Sequence, residues 1–171
     1  MESFLRYWLT WPVVENFLRS NSWGWSLNEC LHYVGLCLLI GAVGMFDLRL
    51  LGIARRLPVK PLRQLLPWGA FGFVLCVVSG LTFVTGLRAN VPVEAYDALM
   101  TDRYLQWKLL FILFAGMNLL AFYLTGMSRA VDRLGPGDDA PPMAKAIAGT
   151  SLFLWVGVVY WGRLIPWGLP L

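Results

Sequence analysis

Charged residues are scarce in this chain. They make up 14% of its 171 residues, whereas apolar residues reach 58%; ordinary soluble domains carry about 25% charged residues. A chain of this composition would expose too much apolar surface in water, so a lipid bilayer is its natural solvent. The 14 Lys plus Arg against 10 Asp plus Glu give a weak, scattered positive charge, and we expect no nucleic-acid partner.

Groups that carry catalysis or bind metals are also rare. The chain contains a single histidine, His32, and its three cysteines lie inside apolar runs. It has no nucleophile-elbow pattern, no metal-binding Cys-x-x-Cys pair and no zinc-protease motif. One histidine also excludes a haem held by two histidines of the same chain. We therefore expect no catalytic residue and no metal site.

Long apolar runs, by contrast, fill most of the chain. A helix needs about 20 mainly apolar residues to cross the hydrocarbon layer, and the stretches 27–48, 66–87, 105–127 and 144–165 all qualify. Asp102 is placed to cap the third helix, Pro67 to occupy the first turn of the second, and Pro141 and Pro142 to open the fourth. The sequence therefore predicts an all-α, integral membrane four-helix bundle over residues 27–171.

Residues 1–26 differ from these spans because charges interrupt an aromatic-rich pattern. Arg6, Glu15 and Arg19 make the segment too polar to cross a bilayer, and the break at Thr10–Pro12 divides it. We expect two short amphipathic helices that lie in the membrane interface. A second interfacial piece is predicted over residues 93–100.

Lys and Arg are divided unevenly between the two ends of the predicted bundle. Eight belong to the loops after the first and third spans: Arg49, Arg55, Arg56, Lys60, Arg63, Arg129, Arg133 and Lys145. Six belong to the opposite side: Arg6, Arg19, Arg88, Arg103, Lys108 and Arg163. Because cytoplasmic loops carry the excess of Lys and Arg, we expect both termini to face outward.

Ionisable side chains inside the spans are the candidates for function, since such groups are costly in lipid. Glu29 and His32 share one face of the first helix, and Lys108 and Arg163 end other spans on the same side of the membrane. These four residues are candidates for an outward-facing polar cluster. In the alternative interpretation, the two cations reach the lipid headgroups and His32 bonds to a neighbouring helix.

The remaining polar groups are predicted to be structural. Asp47 and Arg49, at the inner end of the first helix, are expected to form an ion pair with each other or with a neighbouring helix. Asn118, deep in the third span, is expected to make an interhelical hydrogen bond. Small residues on the first two helices are expected to permit close backbone approach, namely Gly35, Gly41, Ala42, Gly44, Gly69, Gly72 and Gly80.

Several motifs resemble a known family. The run Leu31-His32-Tyr33-Val34-Gly35, followed by Asp47-Leu48-Arg49-Leu50-Leu51-Gly52, is similar to the first span of a bacterial four-span membrane family of unknown function. Later segments resemble its other spans: Leu65-Leu66-Pro67-Trp68, Lys108-Leu109-Leu110 with Asn118, and Leu154-Trp155-Val156-Gly157 with Gly162-Arg163. The resemblance implies a bacterial inner membrane. That family is distantly like copper-resistance D proteins and four-helix b-type cytochromes, which hold copper or haem through several histidines. Tyr123 stands where the resemblance leads us to expect one of them.

Three functions stay open. The first is a non-catalytic membrane subunit or anchor that packs against other membrane protein subunits of a larger, redox-type complex. The second is a redox carrier that binds haem b or quinone near His32, with Met45, Met117 or a partner's residue as the second haem ligand. The third, metal-ion transport, ranks last because the second span has only Ser79, Thr82 and Thr85 as polar side chains.

Overall fold

The computed structural model describes residues 2–169, which contain α-helices and short 3₁₀ turns but no strand. The helices are α1 Glu2–Leu9, α2 Pro12–Ser20, α3 Gly24–Leu51, α4 Val59–Thr85, α5 Ala95–Thr101, α6 Arg103–Leu124, α7 Met127–Val131 and α8 Pro142–Leu164. The 3₁₀ turns lie at Leu87–Ala89 and Ile165–Trp167.

Four helices of the described range, α3, α4, α6 and α8, are long and apolar enough to cross a membrane. The predicted all-α four-helix bundle is therefore confirmed. α3 packs most extensively against α4, α6 packs against α8, and a smaller α3–α8 interface joins the two pairs. Between residues 2 and 169, α4 and α6 form no interface of comparable size with each other. The bundle is thus open on the side between α4 and α6.

The start of α4 and the end of α6 differ from the predicted spans. α4 begins at Val59 instead of residue 66, so the prediction that Pro67 occupies its first turn is wrong. The charges of Lys60 and Arg63 exclude this extension from a hydropathy-defined span, although they do not prevent a helix. α6 ends at Leu124 instead of residue 127 because Gly126 adopts a left-handed conformation with φ 74°.

Two predicted helix starts are confirmed. Asp102 precedes α6, and its side chain accepts hydrogen bonds from Tyr104 N at 2.8 Å and Leu105 N at 3.1 Å. Pro142 is the first residue of α8, where its missing N–H leaves no helical bond unmade. Both starts follow from local chemistry that the sequence displays directly.

The N-terminal segment forms the two short helices predicted for it, α1 and α2, which are separated at Thr10 and Trp11. Arg6 of α1 forms ion pairs with Glu94 at 2.6 Å and with Asp97 at 2.9 Å, in and beside α5. The two segments predicted to be interfacial therefore contact each other at one end of the bundle. We call this end the α5 end, and the opposite end, which carries α7, the α7 end.

Glycines determine how closely α3 and α4 approach. A Cβ atom added to Gly35 would lie 2.8 Å from Gly72 O, and one added to Gly72 would lie 2.6 Å from Gly35 O. Gly69 likewise lies against Ala42 of α3. The prediction is wrong for Gly44 and Gly80, where an added Cβ would meet only side-chain atoms, none nearer than 3.8 Å, and for Gly41, where it would meet nothing within 4 Å. The face of α3 that carries Gly41 points away from the other helices.

Candidate functional site

The four residues of the predicted polar cluster surround one cavity at the α5 end, which we call the histidine cavity. Its volume is about 390 Å³, and all four long helices or their flanking turns contribute to its wall. Its polar and aromatic lining residues include Trp25, Glu29, His32, Tyr33, Phe83, Asn90, Lys108 and Arg163. Counting helical turns predicts that these groups lie at one depth. In the structure each helix is also rotated so that its side chain faces the same cavity.

A hydrogen bond across the α3–α4 interface determines which nitrogen of the neutral His32 ring carries the proton. His32 Nδ1 lies 2.8 Å from Ser79 Oγ, and the same hydroxyl lies 2.6 Å from Leu75 O. Two oxygens at 2.6 Å need a proton between them, so Ser79 donates to Leu75 and accepts from His32. The ring proton is therefore on Nδ1, and in the neutral ring Nε2 keeps its lone pair.

The charged groups of the histidine cavity are not paired with each other. Within residues 2–169, Lys108 forms no hydrogen bond or ion pair, and its stem lies against Gly162, where an added Cβ would be 3.3 Å from Lys108 Nζ. The Arg163 guanidinium lies over the Trp167 ring at 5.1 Å. Glu29 accepts a hydrogen bond from Trp25 Nε1 at 3.1 Å. The cavity thus offers hydrogen-bond donors and acceptors together.

The methionines considered as second haem ligands do not face this cavity. Met45 is 41% exposed and Met117 is 55% exposed, and neither lines the histidine cavity. Neither methionine is therefore placed to be the second ligand of a haem held by His32. Across the described part of the chain, no group of three or more His, Cys, Asp or Glu residues is placed to hold a metal ion.

The predicted ion pair of Asp47 is wrong. Arg49 is 0% exposed and donates to three backbone carbonyls, Leu57 O at 2.6 Å, Gly135 O at 3.0 Å and Asp138 O at 3.2 Å. Residues two apart on a helix point in different directions, and Arg49 turns toward the loops of the α7 end. No cation in the range 2–169 pairs with Asp47.

Asp47 instead faces a second cavity, which we call the aspartate cavity. It has a volume of about 310 Å³, and residues of all four long helices line it, mostly apolar ones. Asn118 lies in its wall and donates to Ile147 O at 3.0 Å, the interhelical hydrogen bond that the sequence predicts. Tyr123, at the position where the family resemblance suggests a histidine, also lines this cavity and not the histidine cavity.

Two partners of the candidate residues were missed at the level of sequence. Ser79 holds His32, and Ser151 of α8 lies beside the carboxyl group of Asp47. Each is a hydroxyl within an apolar helix, and this was the one feature of the sequence that could have identified them as partners. A serine that bonds back to its own helix looks the same in sequence, so this feature does not identify a partner.

Comparison of the chain with protein-family models, curated proteins and solved structures gives no match. The family resemblance drawn from the motifs of the four spans stays a prediction.

Proposed function

We propose that the chain is a multi-pass protein of a bacterial inner membrane that binds a quinone in the histidine cavity. One observation carries the proposal: Ser79 holds the His32 proton on Nδ1 beside the cavity that Lys108 also lines. His32 Nε2 supplies a hydrogen-bond acceptor, and Lys108, without a partner among residues 2–169, supplies a donor.

A quinone fits this combination better than an anionic ligand. Its two oxygens accept hydrogen bonds in the oxidised form and donate them in the reduced form, so Lys108 suits the quinone and His32 Nε2 the quinol. Trp25 and Phe83, with ring centroids 5.1 Å apart, give an aromatic wall for a planar head group. Glu29 in the same wall offsets one of the two positive charges of Lys108 and Arg163, so only one net positive charge remains to attract a phosphate or carboxylate.

Binding of a short-chain benzoquinone to the purified protein tests the proposal, with tryptophan fluorescence quenching as the readout. A hydrogen bond from a charged donor contributes about 1.5–3 kcal/mol, and each 1.4 kcal/mol is about tenfold in Kd. Lys108→Met should therefore weaken binding at least about tenfold. Lys60→Met removes an exposed lysine at the start of α4 and serves as the matched control.

Three outcomes would contradict the quinone proposal. Lys108→Met and Lys60→Met could bind the quinone equally, or phosphatidylglycerol could displace it completely, which would make the cavity a lipid site. A Soret band in the pure protein that disappears in His32→Ala would identify haem b as the ligand instead. Solvent extraction of the native protein adds a direct readout, since a resident quinone should appear in the extract.

A second candidate function is that of a non-catalytic subunit within a larger membrane complex. α1 presents Phe4, Tyr7 and Trp8 as exposed aromatic residues, with Tyr7 78% exposed, and the Arg6 ion pairs hold the helix against α5. The small-residue faces of α3 and α4 are used inside the chain, where Gly35 meets Gly72. A partner would therefore contact α1.

Purification in mild detergent tests the subunit proposal. Tyr7→Ser combined with Trp8→Ser should release a partner that co-purifies with the natural chain. Trp68→Ser, which changes an equally exposed tryptophan on α4, should retain it. A chain that runs as a lone monomer before any substitution would contradict the proposal.

The proposed orientation places both termini outside the cytoplasm, on the strength of the uneven distribution of Lys and Arg. Alkaline phosphatase fused to the C-terminus should then be active, because this enzyme folds only where disulfides form. A fusion protein that is inactive but present in normal amounts would contradict this orientation and place the C-terminus in the cytoplasm.

A further inference from the structure

The aspartate cavity contains a polar atom that the protein itself leaves unsatisfied. Asp47 is 5% exposed, and its Oδ2 atom has no hydrogen-bond partner within residues 2–169. Ser151 lies beside the same carboxyl group, while the nearest cation along the helix, Arg49, is occupied by loop carbonyls. A buried polar atom without a partner is costly, so a donor that reaches Oδ2 would be favoured there.

The cavity around this atom opens toward the bilayer. Ala70 of α4 and Gly116, Leu119 and Tyr123 of α6 line it and are also exposed on the surface of the bundle. They lie on the two helices that form no interface comparable to the other pairs in the described structure. A molecule dissolved in the lipid can therefore enter between α4 and α6 without crossing water.

The size and walls of the cavity define the ligand class. A volume of about 310 Å³ lies at the lower end of small-molecule sites, and an apolar wall with a few placed polar groups is their usual character. Asp47 Oδ2 accepts a hydrogen bond, whereas the surrounding apolar side chains contact hydrocarbon. The two cavities share no lining residue, so this site stands independently of the quinone proposal.

We propose that the aspartate cavity binds a lipophilic molecule with a hydroxyl or amine group, whose O–H or N–H donates to Asp47 Oδ2. The molecule enters from the bilayer through the gap between α4 and α6. Ser151 and Asn118 lie close enough to the cavity to orient its polar end, and the hydrocarbon portion lies against Phe73, Ile112 and Leu119.

Photolabelling of the full-length protein in lipid nanodiscs tests this site. The probes are a long-chain alcohol, the matching amine and the matching alkane, each with a diazirine group and each competed with its unlabelled form. Saturable labelling of α6 by the alcohol or the amine, at least about tenfold above the alkane, supports the site. The stronger of the two polar probes identifies the donor.

Two variants test separately the hydrogen-bond acceptor, Asp47, and the gap between α4 and α6 through which the ligand enters. Asp47→Leu should bring labelling by the polar probes down to the level of the alkane. Gly116→Leu should reduce labelling by all three probes, because an added Cβ there meets nothing within 4 Å and the leucine side chain has room to narrow the opening. Gly41→Leu, which also adds a side chain in open space but outside the cavity, is the matched control and should change nothing.

Equal labelling by alcohol, amine and alkane would overturn the proposal, as would unchanged labelling in folded Asp47→Leu. If Asp47→Leu does not fold, Gly116→Leu decides, and labelling equal to that of Gly41→Leu would overturn the site. Lys108→Met should leave photolabelling of the aspartate cavity unchanged. Failure of quinone binding at the histidine cavity is thereby distinguished from failure of this site.

Discussion

Gly72 of α4 lies against the backbone of α3, and a methyl group added there should force the two helices apart. The Cβ of Gly72→Ala would lie 2.6 Å from Gly35 O and 2.8 Å from Leu39 N. Both are backbone atoms and cannot rotate away. Ordinary contact begins near 3.4 Å, so the helices must separate locally by about 0.8 Å. Overpacking of this kind costs about 1–3 kcal/mol, which exceeds the gain of up to about 1 kcal/mol that alanine has over glycine in a helix.

The free energy of unfolding in detergent, followed by tryptophan fluorescence, measures this effect. Gly72→Ala should be less stable than the natural chain by up to about 2 kcal/mol, after the helix-propensity gain is subtracted from the overpacking cost. Gly41→Ala has the same helical gain without a clash and should be neutral or stabilising. Gly35→Ala combined with Gly72→Ala should cost less than the sum, because the first separation makes room for the second methyl. Equal stability of Gly72→Ala and Gly41→Ala would refute the close α3–α4 approach.

Further predictions concern the helix ends and the loop between α7 and α8. Arg49→Met removes three hydrogen bonds from a buried guanidinium and should cost about 3 kcal/mol or more, whereas exposed Arg56→Met should cost almost nothing in the same unfolding assay. Asp102→Ala loses the cap of α6 and should cost about 1 kcal/mol. The hydrogen bond from Lys145 holds the pKa of Asp139 below its ordinary value of 3.8. The interaction should therefore be complete above pH 3.8 and weaken as the pH falls through the lower folded pKa. The protection of amides across residues 132–141, measured relative to their intrinsic exchange rate at each pH, should fall in acid, and this fall should be smaller in Asp139→Asn.

The fold was readable from the sequence because a bilayer leaves the backbone few alternatives. In lipid, each apolar stretch must satisfy its own N–H and C=O groups, and a helix does so locally. Hydropathy therefore locates the helices, and Asp102 and Pro142 mark two of their starts. It does not locate where a helix continues into water, which is why the first two turns of α4, with Lys60 and Arg63, were missed.

Only part of the candidate sites could be predicted from the sequence. Counting residues gives depth along a helix axis, so Glu29, His32 and Lys108 could be assigned to one end of the bundle. Rotation of each helix about its axis depends on packing between distant residues, and it decides which groups face a cavity. Asp47 and Arg49 show the difference. Their proximity in sequence suggested a pair, whereas Arg49 is bound by carbonyls of a loop 86 and 89 residues away.

One architectural feature accounts for both cavities, and it leads to a last prediction. α3 with α4 and α6 with α8 form two close pairs, joined mainly through α3 and α8, and α4 stays apart from α6. His32 and Asp47 both lie on α3, 15 residues or about 22 Å apart, so the two cavities lie at different depths of the bundle. A ligand in either cavity contacts both pairs and supplies contacts that the protein lacks.

A ligand present at 100 times its Kd should raise the free energy of unfolding by about 2.7 kcal/mol. At the same quinone concentration, a tenfold weaker Kd in Lys108→Met should lower this stabilisation to about 1.4 kcal/mol or less. Lys108→Met should not change the stabilisation by the lipophilic alcohol or amine, and Asp47→Leu should lower that stabilisation and not the one by the quinone. If neither ligand changes the unfolding free energy, the two cavities are packing gaps filled by lipid, and neither is a binding site.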